Sequence, residues 1–106
     1  MKSEQRKESK EGEGMFKKRR GIRLSYNRQG LIYFICMNIR DMPEEVQQKV
    51  KELCAEVGGC DSEALYEVIT NDRQSIVGIS LKYYISEKKL YRMRKEFYEA
   101  WKMSDN

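Results

Sequence analysis

The sequence predicts an all-α fold, a small five-helix bundle preceded by a disordered basic N-terminal arm. Three observations carry this expectation. Apolar residues recur at three- and four-residue steps through successive stretches, the period of an amphipathic helix. One proline and seven glycines interrupt 106 residues, too few for a many-turned β fold. No stretch alternates apolar and polar residues with the period of two that a half-buried strand requires. The length is that of one domain.

Residues 1–24, "MKSEQRKESKEGEGMFKKRRGIRL", are polar, mixed in charge and nearly free of large apolar side chains. They are expected to form a disordered arm. Its basic cluster, Lys17, Lys18, Arg19 and Arg20 followed by Arg23, suits a phosphate backbone; a solubilising tail has the same composition. Residues 25–103 then form the folded domain. Ser25 or Asn27 is placed to cap a first helix over 28–40. Leu31, Ile32, Phe34, Ile35, Met37 and Ile39 make that helix apolar nearly all round, which predicts a central, buried position.

Asp41-Met42-Pro43 breaks the run. Pro43 suits the first turn of a second helix over 43–57, with Glu44 and Glu45 at its positive end. Val46, Val50, Leu53, Cys54 and Val57 mark its inner face, and Gly58-Gly59 ends it. Asp61 or Ser62 caps a third helix over 62–70, with Ala64, Leu65, Val68 and Ile69 inward. A fourth helix is expected over 73–83, around Ile76, Ile79 and Tyr83. A fifth, over 86–102, carries Leu90, Met93, Phe97, Ala100 and Trp101 on one face.

The net charge of +4 conceals a division along the chain. Residues 1–26 hold nine Lys/Arg against four Asp/Glu, residues 27–72 hold four against nine, and residues 73–103 hold eight against three. Two basic segments thus flank an acidic middle. A basic footprint confined to part of a domain is what phosphate binding requires.

The stretch "ISLKYYISEKKLYR", Ile79–Arg92, gathers the features of two helices crossing at a tight corner. Ile79 anchors the first helix inward, and Ser80 is the small residue where the two cross. Ile85 plugs the corner and Ser86 caps the second helix. Leu90 and Met93 hold that helix down. Ser86, Glu87, Lys88, Lys89, Tyr91, Arg92 and Lys95 are left for the outer side, where Lys88, Arg92 and Lys95 follow at steps of four and three. Lysine and arginine favour phosphates and guanine edges.

Over residues 73–97 this string resembles the helix-turn-helix of bacterial transcription regulators and the promoter-binding module of sigma factors. The usual pattern, I-A-x-x-x-G-I-S-x-x-T-V-x-R, stands here as I-S-L-K-Y-Y-I-S-E-K-K-L-Y-R. Ile79, Ile85, Ser86, Leu90 and Arg92 match. The departures are Ser80 for alanine, Lys89 for threonine, and Tyr84 where glycine would allow a left-handed turn. The chain as a whole is similar to small regulators of phages and integrative elements in Gram-positive bacteria. The resemblance implies sequence-specific binding of double-stranded DNA by a helix-turn-helix over 73–102, and transcription regulation. It implies RNA polymerase as a protein partner and a homodimer that reads two half-sites. Lys17, Lys18, Arg19 and Arg20 join the outer residues of the last helix as expected DNA contacts. The competing reading is a helical protein-interaction or assembly module without DNA binding.

No enzyme and no cofactor are expected. The chain has no histidine, the usual general base and the commonest metal ligand. Cys36, Cys54 and Cys60 are odd in number and lack a C-x-x-C spacing, which speaks against zinc and a disulfide framework. The glutamates of 44–67 fall on outer helix faces. The aromatic group Tyr83, Tyr84, Tyr91, Phe97, Tyr98 and Trp101 has helical spacing, which favours core and contact surface over stacking on single-stranded bases. The longest apolar run, Gly30–Ile39, is too short to span a bilayer. A cytoplasmic location without a membrane partner is expected.

Overall fold

Ser25, Ser75 and Ser86 start their helices by the same device. Each Oγ accepts a hydrogen bond from the backbone N–H three residues on, of Arg28 at 3.2 Å, Gly78 at 3.0 Å and Lys89 at 3.1 Å. Each satisfies one amide that a helix start leaves without a partner. The resulting helices are α1 (Tyr26–Met37), α4 (Ile76–Tyr83) and α5 (Glu87–Ala100). Between them lie α2 (Glu44–Gly58) and α3 (Ser62–Thr70). Pro43 stands just before α2 as its cap residue, and Glu44 and Glu45 occupy its first turn, where the helix dipole favours negative charge. Short 3-10 turns at Ile39–Asp41 and Gly59–Asp61 join α1 to α2 and α2 to α3. Gly59 takes a positive φ of 57° there, a conformation that glycine adopts without a Cβ clash.

The computed structural model describes residue 19, residues 21–71 and residues 73–101. Every regular element among them is helical, and no strand occurs. No helix among them is long and apolar enough to cross a membrane.

The core gathers Ile32 and Cys36 from α1, Val50 and Cys54 from α2, and Leu65 and Ile69 from α3. Ile79 of α4 and Leu90, Met93, Phe97 and Tyr98 of α5 join it, with Ile22, Ile39, Ala64, Val68 and Trp101 around them. Each of the Val, Leu, Ile, Met and Phe side chains contributes about 1.5–3 kcal/mol of hydrophobic free energy when fully buried. Trp101 follows the last turn of α5, packs 5.8 Å from the Phe97 ring, and carries the Lys49 ammonium 4.4 Å above its own ring.

The central helix is α3, which packs against α1, α2, α4 and α5. This corrects the expectation that the first helix is central and buried. Leu31 and Phe34 of α1 are 47% and 60% exposed, because only the Gln29–Ile32–Cys36 side of that helix meets the bundle. An apolar surface all round a helix marks it as able to be buried; the number of neighbouring helices decides whether it is.

The expected boundary of the arm at residue 24 also shifts. Ile22 is buried, and Leu24 packs against the core cluster. Residues 1–18 and Arg20, which include three of the expected arm contacts, lie outside the described residues.

Candidate nucleic-acid interface

The corner between α4 and α5 is closed by its own backbone. Tyr84 is left-handed, with φ 58° and ψ 43°, although it carries a Cβ. Its N–H and that of Ile85 both donate to the Ser80 carbonyl, the latter at 3.1 Å. This six-residue closure with one left-handed residue is a common way to end a helix. The Ser80 hydroxyl donates back to the Ile85 carbonyl at 2.5 Å, so the small residue at the crossing also locks the turn. Ile85 is half-buried against the core. The departure at Tyr84 therefore does not prevent the left-handed turn. Its ring is 95% exposed, so the strain is local to the backbone.

Two polar ties set the angles of α4 and α5 on the bundle. Glu67 of α3 accepts from Lys82 Nζ at 2.9 Å and from the Tyr83 hydroxyl at 2.6 Å. These bonds, the Tyr83 hydroxyl first, hold the Glu67 carboxyl below its ordinary pKa and raise that of Tyr83. Lys89 of α5 pairs with Asp61 at 2.6 Å, which fixes the start of α5 to the junction of α2 and α3. Lys89 is thus half-buried and engaged with the supporting bundle, which corrects its expected place among the outward contacts. Asp61 in turn makes no side-chain capping bond to α3, since its carboxylate faces Lys89.

The remaining expected residues of α5 share its outer side. Glu87 and Lys88 are exposed in the first turn, and Tyr91 and Arg92 in the second. Ser86 spends its hydroxyl on capping. Arg92 approaches Glu96 at 3.8 Å and Lys95 approaches Glu99 at 3.5 Å. Both are i,i+4 pairs; the Arg92 pair is exposed and worth about 0.2–1 kcal/mol, whereas Glu99 is mostly covered and also accepts the Arg23 N–H. The outer side therefore presents Lys88, Tyr91, Arg92 and Lys95 together with the exposed carboxylates of Glu87 and Glu96.

No protein-family model, curated protein or solved structure matches the chain. The site is read from its own geometry.

Sequence reasoning missed Arg94. The Arg94 guanidinium lies 5.1 Å above the Tyr91 ring. Arg19, an expected contact, lies 5.6 Å from the Tyr33 ring and 5.9 Å from the Tyr98 ring. Burial, and then the neighbouring charge of Arg19, lower the pKa of Arg94. Burial likewise pushes the Tyr98 hydroxyl up to about 12. The missed signal was the i,i+3 spacing of Tyr91 and Arg94, which sets a guanidinium beside a ring on one helical face.

Proposed function

We propose that the chain binds double-stranded DNA through a helix-turn-helix made of α4, the turn at Tyr84–Ile85, and α5, and that it acts as a transcription regulator. The observation that carries this reading is the corner itself. Ser80, Ile85 and Ser86 each make a hydrogen bond or core contact that would suit the crossing, the corner and the cap of a helix-turn-helix. The second helix leaves Lys88, Tyr91 and Arg92 exposed in its first two turns, the part of a recognition helix that reaches into the major groove. Lys88 and Lys95 are assigned to phosphates, Tyr91 to a phosphate oxygen by its hydroxyl, and Arg92 to a base edge. Lys89 and Asp61 position α5 and do not touch DNA.

A second reading, a protein-interaction module, is favoured by one observation. Val77, Leu81 and Tyr84 are 50%, 71% and 95% exposed at steps of four and three, an apolar stripe along the outside of α4. The two readings meet if the stripe pairs two copies on adjacent half-sites.

Fluorescence anisotropy of a labelled random-sequence duplex, at low and moderate salt, separates them. DNA recognition requires binding whose affinity falls steeply with salt, and Lys88→Ala is expected to shallow that fall by about 0.9 in log–log slope. A wild-type protein that leaves the duplex unbound at low ionic strength sinks the DNA reading and leaves the interaction module.

A further inference from the structure

A cleft of about 440 Å³ opens between α2, α3 and α4, lined by Lys51 and Cys54 of α2, Glu63, Tyr66 and Glu67 of α3, and Tyr83 of α4. The volume is that of a small-molecule site, and no described residue of α5 lines it. Two observations set it apart from an ordinary gap between helices. The first is the Glu67 carboxylate. Its Oε2 accepts from Lys82 Nζ and the Tyr83 hydroxyl, whereas Oε1 is buried and makes no hydrogen bond among the described residues. A buried acceptor without a donor is rare in a folded protein, since it has given up water and gained nothing. The bonds from Tyr83 and then Lys82 hold the carboxyl below its ordinary pKa, so it is ionised at neutral pH. The terminal torsion of a glutamate is broad and two-fold, and after such a turn an oxygen of this carboxylate meets a donor in the cleft.

The second observation is the setting. Glu63 stands one helical turn before Glu67 on the same side of α3, and like charges at that spacing repel. No ion pair among the described residues includes Glu63. Tyr66 and Tyr83 are partly buried and give the cleft two aromatic rings. Cys54 is 2% exposed, and burial pushes its thiol up to about 12, so it stays neutral. Lys51 is the single cation of the lining. It is exposed, and water screens its charge more than that of Glu67, whose side chain is 24% exposed. The cleft thus joins anionic acceptors to an apolar, aromatic wall. A metal ion finds no third ligand among the described residues, an anion meets two carboxylates, and a neutral apolar molecule leaves Glu67 Oε1 unpaired. An organic ammonium uses both parts, its donors on the carboxylates and its charge beside the tyrosine rings.

We propose that this cleft binds a small primary ammonium compound with an apolar or aromatic body, the ammonium on Glu67 and Glu63 and the body against Tyr66 and Tyr83. The site stands apart from the outer side of α5 and does not depend on the DNA reading. Because Glu67 also holds Lys82 and Tyr83, an occupant bears on the tie that sets the angle of α4.

The test uses three probes with one body and different heads: benzylammonium, benzyl alcohol and benzoate. Each is added at neutral pH and constant ionic strength to the 15N-labelled protein, with amide shifts as the readout. Benzylammonium is expected to give saturable shifts at Cys54, Tyr66, Glu67 and Tyr83, with a Kd in about the millimolar range for so few atoms. The alcohol is expected to bind about tenfold more weakly, for want of one charge-assisted hydrogen bond, and benzoate more weakly still. Glu67→Gln removes the charge and keeps an acceptor; it should weaken benzylammonium about tenfold and leave the alcohol unchanged. Glu63→Gln, at an exposed position, should weaken benzylammonium about threefold and keeps the test open if Glu67→Gln loosens the bundle. Equal affinity for the three probes would make the cleft an apolar gap without charge selection, and tightest binding of benzoate would assign it to anions; either overturns the proposal. Affinity for benzylammonium unchanged in both variants overturns it as well, as do shifts that never saturate or that miss the lining residues. Duplex binding by wild type, present or absent, leaves these outcomes as they are, so failure of the cleft and failure of the DNA reading are told apart.

Discussion

Tyr84→Gly is expected to stabilise the protein. Tyr84 sits at φ 58°, ψ 43°, where an L-residue carries a clash of its Cβ with the following carbonyl worth roughly 1–2 kcal/mol. Its side chain is 95% exposed, so removing the ring gives up almost no buried area. Glycine brings back an entropic cost of about 0.5–1 kcal/mol through the greater freedom of the unfolded chain. The balance is a gain of about 0.5–1 kcal/mol. For a folded region of this size, it raises Tm by roughly 2–8 °C. Thermal melts followed by circular dichroism measure it, with Tyr84→Ala as the control that removes the ring and keeps the Cβ. Tyr84→Gly must melt above both wild type and Tyr84→Ala. A glycine variant that melts at or below the alanine variant would refute the left-handed turn, and with it the closure of the corner on Ser80.

Three further outcomes are expected. Ile85→Ala should cost about 1–2 kcal/mol, less than the roughly 2–5 kcal/mol of a fully buried isoleucine, because Ile85 is only half-buried; an unchanged urea midpoint would place it outside the core. With a chromogenic disulfide reagent, the exposed Cys60 should react at once, while Cys36 and Cys54, whose thiols burial pushes up to about 12, should react only on unfolding; three equally fast thiols would contradict the burial of Cys36 and Cys54 in the core. Glu67, held below the ordinary 4.5 first by the Tyr83 hydroxyl and then by Lys82, and Glu99, held down first by the Arg23 N–H, are carboxylates with lowered folded-state pKa. Their stabilisation is present above the unfolded value and is lost as pH falls through the folded one, so Tm should drop below about pH 4.5, and Glu67→Gln should flatten that drop; an acid limb identical to that of wild type would show that the Glu67 tie contributes nothing.

The helical elements were legible because their apolar residues keep a helical spacing and because serines, a proline and a glycine pair mark their ends. The third helix falls on Ser62–Thr70 as expected. The fourth begins at Ile76 instead of 73, since the Arg73 N–H turns back to the Asn71 side chain at 2.9 Å and Ser75 is the residue that caps. What the sequence did not carry was depth. The apolar girth of α1 could not say that one of its sides would face outward, and Ile22 and Leu24 were too few to mark a segment that packs. Within the candidate site, helical phase placed Lys88, Arg92 and Lys95 correctly on one side of α5. It could not foresee that Asp61, distant in sequence, would draw Lys89 inward. Nor did it reveal Gln29 as the anchor of Arg19, whose backbone N–H donates to its Oε1 at 2.9 Å, although a glutamine three residues before Ile32 and seven before Cys36, on one helical side, is the pattern such an anchor leaves.

The most direct measurement of the central claim is an amide chemical-shift map of the 15N-labelled protein as duplex DNA is added at low salt. The account predicts saturable shifts at Lys88, Tyr91, Arg92 and Lys95, with the acidic helices α2 and α3 unchanged outside the Asp61 junction. Shifts concentrated on α2 and α3 or on the Val77–Leu81 stripe, or none anywhere at a large excess of duplex, would contradict it.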